Sequence, residues 1–342
     1  MQIPYAHILI CRTDNIGDVV LTLPLAGYLK KLYPGARVDF LCRAYAAPLV
    51  ENCVFVDEVL VLEDLEDPAA YFKTAGVDAI IFAFPNRRLA LAAKRAGVRN
   101  RVGSSHRWFH WFTCNKLAHF SRANSCYHEA QLNFALLAPL GIEHMPALVA
   151  LPPLFGLSAP RLPAVVARLV PGRFNLILHT KSNGNGREWP LEHYAALAHA
   201  LLEYADVHIW LTGSTAEGAA IAAAAPALLA APNVSDLCGR LTLEELMALI
   251  NACDGLVASG TGPLHMSAAL GRPTLGLFPP IKPIHPGRWG TLGAKAQTLC
   301  VDEPCAACVN AARCACMLAI TPERVVAVVL GWLARRGALA AG

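Results

Sequence analysis

Two carboxylates follow the first apolar run of the chain and could do acid–base chemistry. The segment Arg12–Asp18 (RTDNIGD) lies between a predicted strand and a predicted helix, with Asp14 and Asp18 near its two ends. A carboxylate within hydrogen-bond reach of a hydroxyl can remove its proton. A carboxylate at a helix start is more often a cap for free backbone amides, so both interpretations stay open at this point.

A second turn has the composition of an anion site. Ser259–His265 (SGTGPLH) joins a predicted strand to a predicted helix, and its glycines let backbone amides approach a pyrophosphate at the helix start. The alternative is an ordinary tight turn, with Pro263 at a position where proline is favoured.

Two further polar segments follow predicted strands. His179–Pro190 (HTKSNGNGREWP) carries Arg187, whose guanidinium could neutralise a bound anion, but a solvated loop would have the same composition. Glu217 follows the next strand, and its carboxylate could bind vicinal hydroxyls. Taken alone, it is more typical of an acid in the first turn of a helix.

The elements that must position these residues alternate between strand and helix, which predicts doubly wound α/β halves with parallel sheets. Ligands bind such folds at the carboxyl ends of the strands, so the cleft between the halves is the expected site. The predicted strands are Ala6–Cys11, Arg37–Cys42, Val77–Ala83, Phe174–His179, Val207–Thr212, Gly255–Ala258 and Thr274–Phe278, and the predicted helices are Asp18–Tyr33, Leu191–Glu203, Leu243–Cys253, Pro263–Leu270 and Pro322–Arg336.

Length favours two domains, because 342 residues exceed the usual size of a single core. The proline-rich stretch Leu151–Pro163 is the predicted linker. We therefore expect two domains, over residues 1–160 and 161–342. The last helix is expected to pack as a closing element, with packing back on the first domain as one option.

Composition limits the classes of function and the cellular locations that we expect for the protein. A net charge of +4 does not favour a nucleic-acid partner, and the longest apolar stretches are too short for a bilayer crossing. With no signal-peptide pattern, the expected location is the cytoplasm, including the inner face of the cell membrane, where contact would be peripheral. Twelve cysteines are expected as reduced thiols. A zinc or cluster site among Cys300, Cys305, Cys308, Cys314 and Cys316 is the less favoured alternative.

Several ordered blocks resemble one family. Arg12–Pro24 (RTDNIGDVVLTLP) is similar to the N-terminal signature of glycosyltransferase family nine, the lipopolysaccharide heptosyltransferases, and Ala258–Pro283 (ASGTGPLHMSAALGRPTLGLFPPIKP) resembles that family's donor-binding segment. His128–Gly141 and the loop ending in Trp189-Pro190 also resemble family segments. The resemblance implies a fold of two Rossmann-like domains of the glycosyltransferase B type, facing a central cleft. It also implies that residues 1–160 bind the acceptor and residues 161–342 bind the nucleotide-sugar.

The resemblance also implies residue roles. Asp18 falls on the general base and Arg187 on a basic residue near the donor phosphates. Gly260 departs from the family, which has Asp or Asn there, so a side-chain contact to the donor is missing. The implied donor contacts are Ser182, Asn183, Glu217, the backbone at Leu241, Gly260, Thr261, Gly262 and His265, and the expected acceptor contacts are Asp14, Asn15, Arg107 and Arg122.

The implied reaction is inverting transfer of a heptose-like sugar, with ADP-heptose as donor and a lipopolysaccharide core or related glycan as acceptor. Neither a metal nor another cofactor is expected, because helix amides and basic side chains would meet the charge of the diphosphate. An NAD(P)-dependent oxidoreductase and a nucleotide-binding protein without catalysis are the alternatives. The oxidoreductase fits less well, since His265 stands where a third glycine belongs.

Overall fold

The chain forms two compact α/β units, Met1–Ser158 and Ala159–Gly342. The computed structural model describes residues 5–122, 126–182, 184, 186–204, 207–302 and 314–340. Each unit contains its own six-stranded sheet in which all the pairings are parallel. The predicted pair of Rossmann-like domains of the glycosyltransferase B type is therefore confirmed.

The sheet of the first unit has the strand order β3-β2-β1-β4-β5-β6. Its central strands are almost entirely buried, as expected for a parallel sheet covered by helices on both faces. The strands are β1 His7–Cys11, β2 Arg37–Cys42, β3 Val59–Val61, β4 Ala79–Phe82, β5 Asn100–Ser104 and β6 Lys116–Ala118.

The helices of the first unit are short. They are α1 Ile16–Val20, α2 Leu23–Leu32, α3 Ala47–Glu51, α4 Pro68–Thr74, α5 Arg87–Arg95, α6 His110–Thr113 and α7 Glu129–Phe134. Single 3-10 segments cover Ala44–Ala46, Leu62–Asp64, Ala135–Leu140, Leu148–Ala150 and Pro152–Leu154.

The sheet of the second unit has the order β12-β11-β10-β7-β8-β9. The strands are β7 Phe174–His179, β8 Val207–Thr212, β9 Val234–Asp236, β10 Gly255–Ser259, β11 Thr274–Leu277 and β12 Ala296–Leu299. The helices are α8 Pro163–Val166, α9 Leu191–Leu202, α10 Thr215–Ala224, α11 Pro226–Ala230, α12 Leu243–Ala252, α13 Gly262–Ala269, α14 Pro286–Trp289, α15 Ala315–Leu318 and α16 Pro322–Ala340.

The last helix, α16, packs against α9 within the second unit. Its buried side chains Val325, Val329 and Trp332 join the core that covers β7 and β8. Gly255 makes room for this contact, because a Cβ there would lie 2.7 Å from the Trp332 ring.

One predicted helix differs from the structure. Instead of a continuous helix over Asp18–Tyr33, the chain forms α1 and α2 with a break at Thr22. The Thr22 hydroxyl donates to the Asp18 carbonyl at 2.8 Å, and Pro24 has no amide hydrogen to continue the ladder. The break gives the segment that carries Asp18 its own short helix.

Candidate active site

Arg12 is the centre of a charged cluster at the carboxyl end of β1. Its side chain is almost completely buried, although arginine rarely is. The guanidinium binds Asp14 in a bidentate manner, with Nε–Oδ1 and Nη2–Oδ2 distances of 2.6 and 3.0 Å, and Nη2 also donates to Asp18 Oδ1. Nη1 donates to the Ala83 carbonyl at 3.3 Å, which ties β1 to the end of β4. The predicted pair of carboxylates thus shares one buried cation.

A second group closes the cluster from α7. Glu129, with a 1% exposed side chain, lies 3.6 Å from Arg12 Nη1 and 3.3 Å from Arg122 Nε. Asn133, one helical turn later, accepts from Arg122 Nη2 at 3.0 Å and from Arg12 at 3.4 Å. The Asn133 amide donates in turn to the Thr22 hydroxyl at 3.1 Å. The cluster is therefore fixed to α7 and to the break between α1 and α2.

The cluster holds three carboxylates and two guanidiniums in a largely buried place, so one negative charge is in excess. Burial raises the pKa of Asp18 to about 6; Arg12 opposes the shift, while Asp14 and Glu129 add to it. Burial also raises the pKa of Asp14, with Arg12 again opposing. Asp18 keeps a side-chain exposure of 14%, so its carboxylate is in contact with solvent. A partly buried carboxylate with a pKa near neutrality suits a general base.

The other predicted acceptor residues differ in their surroundings. Asn15 is exposed at the start of α1, where its side chain forms no capping bond. Arg107 is exposed in the turn after β5. Arg122, by contrast, contacts Glu129 and Asn133, so it belongs to the buried cluster rather than to a solvated basic face.

In the second unit, the loop after β7 is organised by Glu188. Its carboxylate accepts from the Ser182 amide at 2.8 Å and from the Ser182 hydroxyl at 3.1 Å, and pairs with Lys181 Nζ at 2.5 Å. Arg187 is half-buried in the same loop. Asn183 lies outside the described residues. Glu188 therefore holds Lys181 and Ser182 in place in this loop.

The turn after β10 lies next to this loop. A Cβ on Gly186 would lie 3.0 Å from the Gly260 carbonyl oxygen, so the two segments are in close contact. Thr261 is the N-cap of α13 but makes no side-chain cap bond, and its buried hydroxyl has no partner among the described residues. Gly262 begins the helix, and His265 is buried in its first turn. The backbone amides at this helix start are available to an anion.

Phe278 explains the absence of a side chain at Gly260. A Cβ on Gly260 would lie 2.9 Å from Phe278 Cε1, and a Cβ on Gly276 would lie 2.6 Å from Cε2 of the same ring. The phenyl ring therefore occupies the space next to the position where the family has Asp or Asn.

Glu217 forms a capping box at the start of α10. Its carboxylate accepts from the Ser214 amide at 2.8 Å, and its amide donates to the Ser214 hydroxyl at 3.3 Å. Glu217 therefore caps the start of α10, as expected for an acid in the first turn of a helix. Leu241 is half-buried in the connection between β9 and α12.

His179, at the end of β7, is a buried polar residue that the motifs did not single out as a site. Its Nδ1 lies 2.9 Å from the Thr212 hydroxyl. Burial lowers its pKa to about 4, against the opposing effect of Glu217 and Glu188, so the imidazole is neutral at pH 7.

Of the C-terminal cysteines, Cys314 and Cys316 are buried and Cys300 is half-buried. Cys305 and Cys308 lie outside the described residues. Within the described ranges, no three His, Cys, Asp or Glu side chains are placed to hold a metal ion.

Two units with parallel sheets, one with a buried charged cluster and one with glycine turns at helix starts, have the architecture of a glycosyltransferase of the B type. The family model of glycosyltransferase family 9 (heptosyltransferase) matches residues 107–316. The chain belongs to this family of glycosyltransferases.

Individual relatives support the same family assignment. The chain is 28% identical over 302 residues to a Haemophilus influenzae protein named as a candidate glycosyltransferase, covering 82% of this chain and 85% of that protein. It is 33% identical over 106 residues to lipopolysaccharide heptosyltransferase 2 of Escherichia coli, covering 29% of each chain. The fold is similar to that of the Escherichia coli ADP-heptose LPS heptosyltransferase II, with a TM-score of 0.75, 21% identity and coverage of 97% and 99%.

The residues that the motifs missed are Glu129, Asn133 and Glu188, together with the central role of Arg12. Glu129 and Asn133 stood in an apolar run that predicts a core helix. The one available signal was a charged and an amide side chain four positions apart on that buried face, since buried polar groups need partners. Among the described residues, no helix is long and apolar enough to cross a membrane.

Proposed function

We propose that the protein transfers a heptose-like sugar from ADP-heptose to a lipopolysaccharide core or related glycan, with inversion and with Asp18 as the general base. The single observation that carries this proposal is the position of Asp18, which is bound to a buried arginine and has a pKa of about 6. Such a carboxylate is ionised at neutral pH and is a stronger base than an ordinary aspartate.

In the proposed reaction, Asp18 accepts the proton of the acceptor hydroxyl. The hydroxyl oxygen forms a bond to the anomeric carbon while the bond from that carbon to the donor diphosphate breaks. The diphosphate leaves with the bonding electrons on the face opposite the attack, so the configuration inverts. Asp14, Asn15, Arg107 and Arg122 are the proposed acceptor contacts, with Arg122 acting within the Arg12 cluster.

The second unit supplies the proposed donor contacts. The Thr261 hydroxyl, which has no partner among the described residues, and the first amides of α13, from Gly262 onward, would bind the diphosphate. Arg187 would neutralise the charge that develops on the leaving group, while Ser182, Asn183 and His265 would contact the phosphates. Glu217 and the backbone at Leu241 would hold the ribose and the base.

The choice of ADP-heptose rests on the relatives. The Escherichia coli protein of similar fold is an ADP-heptose LPS heptosyltransferase, and another is known as a complex with ADP-2-deoxy-2-fluoro heptose. Gly260 and Phe278 make an apolar wall where the family has a polar side chain. We therefore expect the donor sugar to be held there by contact with the ring rather than by a carboxylate.

The base assignment is tested with Asp18→Asn. Transfer should fall by about 10²- to 10⁴-fold in kcat, whereas thermal stability should not fall, because the variant removes the excess negative charge of the cluster. Asp64→Asn, an exposed carboxylate of the same unit, is the matched control and should retain full activity. Full activity in Asp18→Asn would rule out Asp18 as the base.

The donor assignment is tested by thermal unfolding with ADP, GDP, UDP, CDP and NAD. A ligand at a hundred times its dissociation constant stabilises the fold by ~2.7 kcal/mol, and ADP is expected to do so. Stabilisation by another nucleoside diphosphate would replace ADP in the proposal. Stabilisation by NAD alone would favour a nicotinamide-dependent oxidoreductase.

A further inference from the structure

The net positive charge of the chain comes from one segment of the first unit. Nine of the 29 lysines and arginines, and none of the 25 acidic residues, lie between Ala79 and His128. The remainder of the chain has more acidic than basic residues. The modest overall charge of +4 therefore conceals a strongly basic segment.

The same segment exposes three large aromatic side chains on and beside α6. Trp108, Trp111 and Phe112 are 64%, 58% and 69% exposed. They protrude from a well-anchored turn, because His110 between them is completely buried and its Nδ1 lies 2.9 Å from the Ser104 carbonyl. Neighbouring apolar side chains so exposed are a feature of interaction surfaces.

Basic side chains of α5 flank these aromatics. The Arg87 guanidinium lies 5.2 Å from the centre of the Trp108 ring, and Lys94 Nζ donates to the Phe112 carbonyl at 2.8 Å. Arg87 and Lys94 are seven positions apart and so lie on one face of the helix. We call Arg87, Lys94, Trp108, Trp111 and Phe112 the basic–aromatic surface.

We infer that the basic–aromatic surface docks the protein on an anionic lipid bilayer. Aromatic side chains favour the headgroup region, and each lysine or arginine near an anionic leaflet adds attraction. The aromatics are exposed on and beside one short helix, α6, and together they present apolar surface that can insert between lipids.

The position of the surface relative to Asp18 supports this partner. The Arg12 cluster follows β1 and the α6 segment follows β5, and the carboxyl ends of parallel strands share one edge of a sheet. In the order β1-β4-β5 these strands are two spacings apart, about 10 Å. A bilayer bound at this edge would bring a lipid-linked glycan toward Asp18, a consequence that rests on the proposed function.

Vesicle co-sedimentation tests the docking without donor or acceptor. The protein should pellet with vesicles of phosphatidylcholine and phosphatidylglycerol in equal parts, should remain in solution with phosphatidylcholine alone, and should be released by salt. Arg87→Gln with Lys94→Gln should weaken partitioning by roughly thirtyfold. Trp108→Gln with Phe112→Gln should weaken it by about tenfold or more.

Matched controls replace residues of the same kind elsewhere. Val54→Gln with Val149→Gln removes two exposed apolar side chains of the same unit, and Arg168→Gln with Arg335→Gln removes two exposed cations of the other unit. Both controls should bind as the parent does, and circular dichroism of every variant should match the parent.

Three results would overturn the inference: equal binding to neutral vesicles, parent-like binding by both surface variants, or tighter retention by single-stranded DNA than by anionic vesicles at the same salt. The last would identify a nucleic-acid partner. Since the vesicles contain no substrate, a failure of the transferase proposal leaves this readout intact. Conversely, transfer to a water-soluble acceptor together with any of these three results would overturn the docking alone.

Discussion

Asp18 combines burial, a guanidinium partner and two neighbouring carboxylates, and the balance of these effects sets its pKa. Because a general base must be ionised, kcat/KM should rise with pH through a midpoint of about 6 and level off above it. The measurement is a pH–rate profile of transfer between pH 4.5 and 8. A flat profile in this range would contradict the assignment.

The same profile can be shifted by the neighbouring charge. Asp14 adds to the raised pKa of Asp18, so Asp14→Asn should move the midpoint to lower pH, even if it also weakens acceptor binding. Asp64→Asn is exposed and far along the chain from the cluster, and it should leave the midpoint unchanged. A shift in both variants would point to an effect of net charge rather than of the cluster.

Arg12 should be essential to the stability of the first unit. Lysine cannot bind Asp14 with two parallel bonds while also reaching Asp18 and the Ala83 carbonyl. Arg12→Lys should therefore lower the free energy of unfolding by about 3 kcal/mol or more in urea titration. Arg43→Lys is the control, since its pair with Glu63 is half exposed, and it should cost less than about 1 kcal/mol. Equal losses would mean that the buried network contributes little.

At the residue scale, sequence motifs predicted the carboxylates but not the network that holds them. Asp14 and Asp18 stand in a contiguous signature, whereas Arg12 meets Glu129 across more than a hundred positions, through a topology that spacing alone does not give. The net charge of the whole chain also did not reveal the basic segment around α5 and α6, because acidic residues elsewhere offset its charge. Contacts between residues distant in sequence could therefore be identified only from the fold.

At the scale of single elements, two helices of the second unit begin with the same capping motif. Ser214 and Glu217 form a capping box on α10, and Thr242 and Glu245 form one on α12. Glutamine also serves in a capping box, so Glu217→Gln and Glu245→Gln should both keep nearly all of their stability. If Glu217 binds ribose, only Glu217→Gln should weaken ADP binding, by about fivefold or more, as measured by calorimetry.

This pair separates a structural role from a ligand role because the two acids have the same local geometry. Unchanged ADP affinity in both variants would leave Glu217 as a helix cap only. Equal weakening in both would indicate a general effect on the second unit and would also contradict a direct contact.

Element boundaries were predicted best at β2, β7 and β8, which are mostly apolar and almost fully buried, and whose bounds match the structure. Such strands are specified by burial on both faces. The break between α1 and α2 was missed because apolar spacing continues through it, while its cause is a hydroxyl-to-carbonyl bond at Thr22.

At the scale of the whole molecule, each unit has its own sheet and its own candidate site, with the Arg12 cluster in the first and the glycine turns after β7 and β10 in the second. Hydrogen exchange monitored by mass spectrometry can test this division with ADP as the only ligand. Saturating ADP should slow amide exchange in Gly213–Glu217 and Thr261–His265, because these segments would contact the bound nucleotide. Exchange in Val38–Cys42, a buried strand of the first unit, should not change. Protection confined to the first unit would move the nucleotide site there and would remove the donor assignment from the second.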